Sequence, residues 1–168
     1  MQIRIAGVET ESIVDGPGYR LAVFAQGCPH GCPGCHNPQT HDMAGGRMAD
    51  TQEIIALLGK NPLVRGVTLT GGEPMMQPEP LAEIARAAKE KGMNVWCYTG
   101  FTLEQLLAEG RADRMALLRA VDVLVDGPYV AAERSISLLY RGSRNQRLLD
   151  VRQSLARGEA VPFVLPEW

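Results

Sequence analysis

Apolar positions along the chain follow two rhythms. Short, nearly unbroken apolar runs occur at 19–26 (YRLAVFAQ), 64–70 (VRGVTLT), 93–99 (MNVWCYT) and 121–127 (VDVLVDG). Such runs predict strands covered on both faces. Between them lie stretches of helical character. DTQEIIALLGK (50–60) has Asp50 or Thr51 as N-cap, Glu53 in its first turn and Gly59 as its stop. EPLAEIARAAKEKG (79–92) places Pro80 near its start, basic residues toward its end and Gly92 as terminator. FTLEQLLAEG (101–110) and RADRMALLRA (111–120) predict two more helices. QIRIAGV (2–8) predicts an edge strand, and LLDVRQSLARGEAVPF (148–163) a short strand, a helix and a tail. Strands alternating with helices predict βαβ units, a parallel sheet and an α/β fold in one domain spanning 1–168.

The unusual residues cluster where the predicted strands end. Gly27-Cys28, Thr70-Gly71-Gly72-Glu73-Pro74, Tyr98-Thr99-Gly100 and Asp126-Gly127-Pro128 each follow a strand's carboxyl end. In parallel α/β folds that edge is where ligands bind. Four segments therefore converge on one rim, and the rim is the expected site.

One rim segment carries the chemistry. GCPHGCPGCHNP (27–38) holds three cysteines, Cys28, Cys32 and Cys35, spaced C-x3-C-x2-C. A structural zinc takes four ligands, so the fourth would be Cys97 or one of His30, His36 and His41. Cys97 lies between apolar neighbours, where a cysteine is usually a small buried hydrophobe. A redox dithiol at Cys32-Pro33-Gly34-Cys35 would leave the third thiol unexplained. The remaining reading is an iron–sulfur cluster with three thiolate ligands, one fewer than the ordinary four. One iron would then be open to a small molecule with adjacent amine and carboxylate. Gly31 and Gly34 give this loop the backbone freedom to wrap round a cluster.

Composition narrows the setting. A net charge of −2, with 17 Lys and Arg scattered along 168 residues, gives no sign of nucleic acid or an anionic membrane as partner. The first residues lack a signal-like apolar segment, and no apolar run approaches the roughly 20 residues of a membrane span. A cytoplasmic protein is expected, in which clustered thiols are ligands or redox groups rather than a disulfide framework.

The cysteine spacing followed by His36-Asn37-Pro38, with Gly71-Gly72-Glu73-Pro74 downstream, resembles the radical S-adenosylmethionine superfamily. Asp15-Gly16-Pro17-Gly18-Tyr19-Arg20 is similar to the opening motif of its small glycyl-radical-enzyme activases. Cys32-Pro33-Gly34-Cys35, Val125-Asp126-Gly127 with Tyr129, and Arg141-Gly142-Ser143-x-Asn145-Gln146 resemble the activases of anaerobic, class III ribonucleotide reductase. The resemblance runs from about residue 5 to 150.

The resemblance implies a partial (β/α)6-type barrel, open on one side, with the DGPG segment at 15–18, a cluster loop at 27–41 and a short tail from about 158. It also implies a [4Fe-4S] cluster on Cys28, Cys32 and Cys35, with S-adenosylmethionine chelating the open iron. Gly71, Gly72, Glu73 and Pro74 would meet the methionine end of the cosubstrate. Gly34, Cys35 and His36 would meet its adenine side, and Asp126 would lie on the same rim or serve as a turn or cap residue. Glu73 either favours the ammonium of the cosubstrate or anchors the turn. Because Gly34 stands where many relatives have an aromatic, stacking would fall to His36 or Tyr98. His41 reads as a solvated loop residue, Asn145 as a rim or turn residue, and Met75 and Met76 as core filling. The implied reaction is reductive cleavage of S-adenosylmethionine to a 5′-deoxyadenosyl radical, which makes a glycyl radical on the large reductase subunit. A flavodoxin or ferredoxin would supply the electron. Two other superfamily substrates, those of pyruvate formate-lyase-type activases and of 7-carboxy-7-deazaguanine synthase, fit less well. The expected chain has neither an auxiliary cluster nor an extension to enclose a small molecule. A zinc-stabilised binding module is the non-catalytic alternative.

Overall fold

The structure is a computed structural model and describes residues 1–165. The apolar runs become β2 (Tyr19–Ala25), β4 (Val64–Gly71), β5 (Asn94–Tyr98) and β6 (Val123–Asp126). Three more strands, β1 (Gln2–Ser12), β3 (Arg47–Asp50) and β7 (Arg147–Asp150), complete a seven-stranded sheet ordered β3-β1-β2-β4-β5-β6-β7. The central four strands pair in parallel, whereas β1–β2, β1–β3 and β6–β7 pair antiparallel.

The all-parallel expectation therefore holds for the centre and is corrected at both flanks. β1 is not an edge strand either, because β3 continues the sheet beyond it.

Period-two alternation places the two faces of β5 in different surroundings. Val95 and Cys97 join the main core beneath the helices, while Trp96 packs on the opposite face with Val123, Val125, Tyr140 and Phe163. Both faces are covered, which is why these strands are mostly apolar.

The helices are α1 (Thr51–Ile55), α2 (Pro78–Glu90), α3 (Leu103–Glu109), α4 (Ala112–Arg119) and α5 (Val151–Arg157). α2 buries Leu81, Ile84, Ala85 and Ala88, the i, i+3, i+4, i+7 stripe of an amphipathic helix. Asp50 caps α1 by accepting a hydrogen bond from the Gln52 amide, and Thr102 and Gln105 form a reciprocal capping box on α3. The expected tail pairs where Pro162 meets Leu149, and Phe163 sets its ring 5.8 Å from Trp96; the tail's last three positions, 166–168, lie outside the described residues. Among the described residues no helix is long and apolar enough to cross a membrane.

The parallel pairing brings the carboxyl ends of β2, β4, β5 and β6 to one edge of the sheet. The chain departs from that edge at Gln26, Gly72, Thr99 and Gly127.

Candidate functional site

A cavity of about 570 Å³ opens at this edge, within the roughly 300–1,000 Å³ typical of small-molecule pockets. Cys28, Cys32 and Cys35 line it, together with His36, Gly71, Gly72, Tyr98 and Tyr129. All three cysteines are free and partly buried. Among the described residues, no three His, Cys, Asp or Glu side chains gather closely enough to hold a single metal ion. Burial, and then the negative charge of Glu73, push the Cys28 thiol upward.

The cysteine loop leaves β2 and is closed at its base by backbone pairing. The Gly27 amide donates to Thr40 O (2.7 Å) and the Cys28 amide to His41 O (3.2 Å). Gly27 adopts φ +105, in the region that favours glycine. The Cys35 amide donates to Cys32 O (3.2 Å), a tight turn through Pro33-Gly34.

The glycine pair after β4 is shaped by close packing. Gly71 has φ +99, and a Cβ there would lie 2.5 Å from the Ala25 amide nitrogen. A Cβ on Gly72 would lie 2.5 Å from Gly27 O. The amides of Gly72 and Glu73 donate to Ala25 O and Gly27 O, both at 2.8 Å, so this turn is laced to the start of the cysteine loop.

The structure separates the predicted site residues into two groups. Cys35, His36, Gly71 and Gly72 line the cavity with the other two cysteines, whereas Gly34 is exposed and does not line it, and a Cβ there would make only ordinary contact with the Tyr129 ring at 3.5 Å. Glu73, Pro74 and Asp126 are buried behind the wall.

Glu73 is 0 % exposed. Its Oε1 accepts from the Gly100 amide (2.7 Å) and from Thr99 Oγ1 (2.9 Å), and pairs with His30 Nε2 at 2.6 Å. Its Oε2 accepts from the Met75 amide (2.8 Å). Of the two roles open to Glu73 in the sequence, the geometry supports the anchor. Asp126 accepts from the Leu103 amide at the start of α3 and from Arg147 Nε and Nη2. The Arg147 guanidinium is pushed upward by these bonds and by Glu104. Both carboxylates are spent on neighbouring elements.

Other expectations are settled by position. Cys97 is fully buried, and burial holds its thiol well above the ordinary range. His41 lines the cavity and is not a fully solvated loop residue; the backbone bond from Cys28 draws it in. Asn145 is a turn residue, bonding Pro128 O and the Ser143 hydroxyl. Met75 is core, whereas Met76 is 40% exposed. The 15–18 turn reaches the site, since Asp15 lines the cavity. Arg20 holds that turn from below, donating to Pro17 O, Val67 O and Thr68 Oγ1 with its guanidinium 5.6 Å from Trp96. Burial lowers its pKa to about 10, so it stays charged at neutral pH.

Sequence reasoning missed His30 as a strut and Arg141 as a wall residue. His30 was visible only as a candidate zinc ligand, and Arg141 only as part of the RGS-x-NQ resemblance.

The wall suits the implied group. Three thiols face one space, and a guanidinium there, that of Arg141, has a buried Nε without a hydrogen-bond partner. The donor set thus offers soft ligands to iron and leaves one buried donor for a polar ligand.

Comparison with known proteins agrees. The family model described as "4Fe-4S single cluster domain" matches residues 14–149. The chain is 37% identical to the anaerobic ribonucleoside-triphosphate reductase-activating protein of Escherichia coli (strain K12), over 80% of this chain and 90% of that protein. It is 34% identical to the protein of the same name from Enterobacteria phage T4, over 80% of this chain and 86% of that one. A pyruvate formate-lyase-activating enzyme from Clostridium pasteurianum is 44% identical over 54% of this chain and 40% of its own length. With the family model covering residues 14–149 and full-length relatives matched along nearly their whole extent, the chain belongs to the family of anaerobic ribonucleoside-triphosphate reductase-activating proteins.

Proposed function

We propose that this chain is a radical S-adenosylmethionine activase that generates a glycyl radical on anaerobic ribonucleotide reductase. One observation carries the reading: the three thiols of a single loop and the bare backbone of Gly71-Gly72 face the same cavity at the carboxyl edge of the parallel strands. Cys28, Cys32 and Cys35 would hold a [4Fe-4S] cluster, which when bound would supply the electron for reductive cleavage of S-adenosylmethionine and so the radical chemistry directed at a reductase glycine.

The chain's own residues bind, orient and shield. Gly71 and Gly72 present backbone carbonyls to the ammonium of the cosubstrate with no side chain in the way. His36 and Tyr129, whose rings lie 5.1 Å apart, and Tyr98 form an aromatic side for the adenine. Glu73, Pro74 and Asp126 act from behind, fixing the strand ends that carry these groups.

The mouth supports a macromolecular substrate. Val14 and Leu138 line the cavity, and Val14 and the nearby residues in sequence Ile13, Ile136 and Leu139 are exposed. An apolar rim of this kind suits an inserted polypeptide loop.

The same reading takes residues 1–168 as one radical S-adenosylmethionine core, its sheet curling as an open, partial (β/α)6-type barrel. It places the protein in the cytoplasm with a flavodoxin- or ferredoxin-type electron donor.

The test is anaerobic reconstitution followed by iron and sulfide analysis and electron paramagnetic resonance. About four irons per chain, a reduced-cluster signal altered by S-adenosylmethionine, and a glycyl-radical doublet after mixing with the reductase are expected. Cys32→Ala should lose the cluster. Cosubstrate cleavage with no doublet on the reductase would refute the activase role.

A further inference from the structure

Among the described residues lining the cavity, Arg141 is the only Lys or Arg. Its Nη1 donates to Gln146 O (3.1 Å), while its Nε is buried and donates to nothing. Buried donors in folded proteins nearly always have partners, and an exception asks for a missing one.

The turn that carries Arg141 is braced. Gln146 Oε1 accepts from the amides of Gly142 (2.8 Å) and Ser143 (3.2 Å), and Gln146 Nε2 donates to Gly127 O (3.2 Å). Tyr140, immediately before Arg141, has φ +63, the one positive φ among the described non-glycine residues. Tyr98 Oη fixes that strained residue by donating to its carbonyl at 2.8 Å. Strained backbone of this kind persists where surrounding contacts over-determine it, and it clusters at ligand clamps. Three independent features thus mark one side chain: an orphaned buried donor, the lone fixed cation of the wall, and a strained, cross-braced support.

We propose that Arg141 receives the carboxylate of S-adenosylmethionine, an assignment that rests on the activase reading above. A guanidinium presents parallel N–H donors that match a carboxylate. The carboxylate is the only anionic group on this cosubstrate, and the sulfonium would be repelled. Two carboxylate oxygens carry about four lone-pair positions, so contact with Arg141 is compatible with ligation elsewhere on the same group.

The test compares cluster-loaded wild type, Arg141→Gln and Arg141→Lys by equilibrium dialysis with S-adenosylmethionine and with its decarboxylated analogue. Losing hydrogen bonds to a charged group should weaken S-adenosylmethionine binding roughly 10- to 100-fold in Arg141→Gln. Arg141→Lys, which keeps the charge and loses the fork, should fall between. The same substitutions should leave the affinity for the decarboxylated analogue nearly unchanged. Iron content and near-ultraviolet circular dichroism verify that each variant is folded and loaded, and Arg141→Lys decides the case if Arg141→Gln is not. Equal losses for both ligands, or none for either, overturn the assignment. So does a loss confined to reductase binding, which would mean that the carboxylate comes from the partner polypeptide. If the wild-type chain binds no S-adenosylmethionine at all, the activase reading fails first.

Discussion

Replacing Glu73 by glutamine changes one oxygen to an amide nitrogen and almost nothing in volume, yet the structure predicts a clear loss of stability. Two backbone amides bond opposite ends of this carboxylate, Gly100 N–H on Oε1 and Met75 N–H on Oε2. Neither amide can reverse its polarity. A glutamine has only one carbonyl oxygen, so one of the two N–H groups must face an NH2. His30 can change tautomer and Thr99 can rotate its hydroxyl; the backbone conflict remains in every arrangement.

A hydrogen bond to a charged group contributes about 1.5–3 kcal/mol, and the stranded donor adds a desolvation cost of about 1–3 kcal/mol. Against this, glutamine relieves the cost of burying a carboxylate. The net expectation is about 2 kcal/mol, or roughly 4–8 °C in melting temperature for a chain of this size. Anaerobic thermal unfolding, followed by far-ultraviolet circular dichroism, measures it. A melting temperature within a degree of wild type, accompanied by weaker S-adenosylmethionine binding, would show that Glu73 acts on the cosubstrate and that the anchoring argument is wrong.

Further expectations can be checked with the same preparations. Gly72→Ala would place a Cβ 2.5 Å from Gly27 O and 2.9 Å from Thr40 O. Backbone atoms cannot step aside cheaply, so a cost of about 1–3 kcal/mol and faster iron loss to a chelator are expected; unchanged iron retention would count against the tie between this turn and the cysteine loop. Arg147→Met strips the cation from Asp126, which is 1% exposed, and should cost about 3 kcal/mol in urea unfolding; a cost below about 1 kcal/mol would contradict it. The Cys97 thiol is raised well above its ordinary 9.0 by burial and by the charge of Glu73. The folded state therefore holds that proton longer than the unfolded chain does. This contribution is complete below pH 9.0 and is lost as pH rises from there through the folded pKa. Cys97→Ala should flatten the fall in stability above pH 9.0, and an unchanged alkaline slope would refute the assignment.

The central strands were legible because burial on both faces leaves a purely local mark. β5 reads as one apolar run since Val95 and Cys97 fill one core while Trp96 packs in the other. β3 left no such mark, because only Ala49 of its four residues is buried and its identity comes from pairing with β1. Strand direction at the flanks was hidden for the same reason: an antiparallel partner imposes no periodicity that a parallel one lacks. The cysteines were legible because all three sit in one short loop. The role of Glu73 was not, since His30, Thr99 and Gly100 lie 43, 26 and 27 positions away. Asp126 was expected on the rim but lies buried behind the wall, and its partners Leu103 and Arg147 are 23 and 21 positions away. Sequence spacing shows which side chains could act together; only the fold shows which are already committed.

That commitment explains how a loop with almost no regular structure can hold three thiols in place. Residues 27–37 contain no helix or strand, so their geometry must be imported. It comes from each neighbouring strand end in turn. β2 contributes through Gln26, whose side chain donates to Gln39 O (3.0 Å) and Asp42 O (2.8 Å). β4 contributes through the Glu73 amide on Gly27 O and the Glu73 carboxylate at His30. β5 contributes through Gly100, which His30 approaches so closely that a Cβ would lie 2.5 Å from its ring. Phe101 meets the same ring edge-on at 4.7 Å. The ends of β4 and β5 thus fix the segment between Cys28 and Cys32 through His30, while Gln26 after β2 ties down the far side of the loop at Gln39 and Asp42. The segment between Cys32 and Cys35 lacks such a strut and depends on its own Pro33-Gly34 turn. Glycine at 34 adopts φ +75 there, a conformation that side chains resist. The first half of the loop is therefore set by the fold, and the second half by local backbone chemistry.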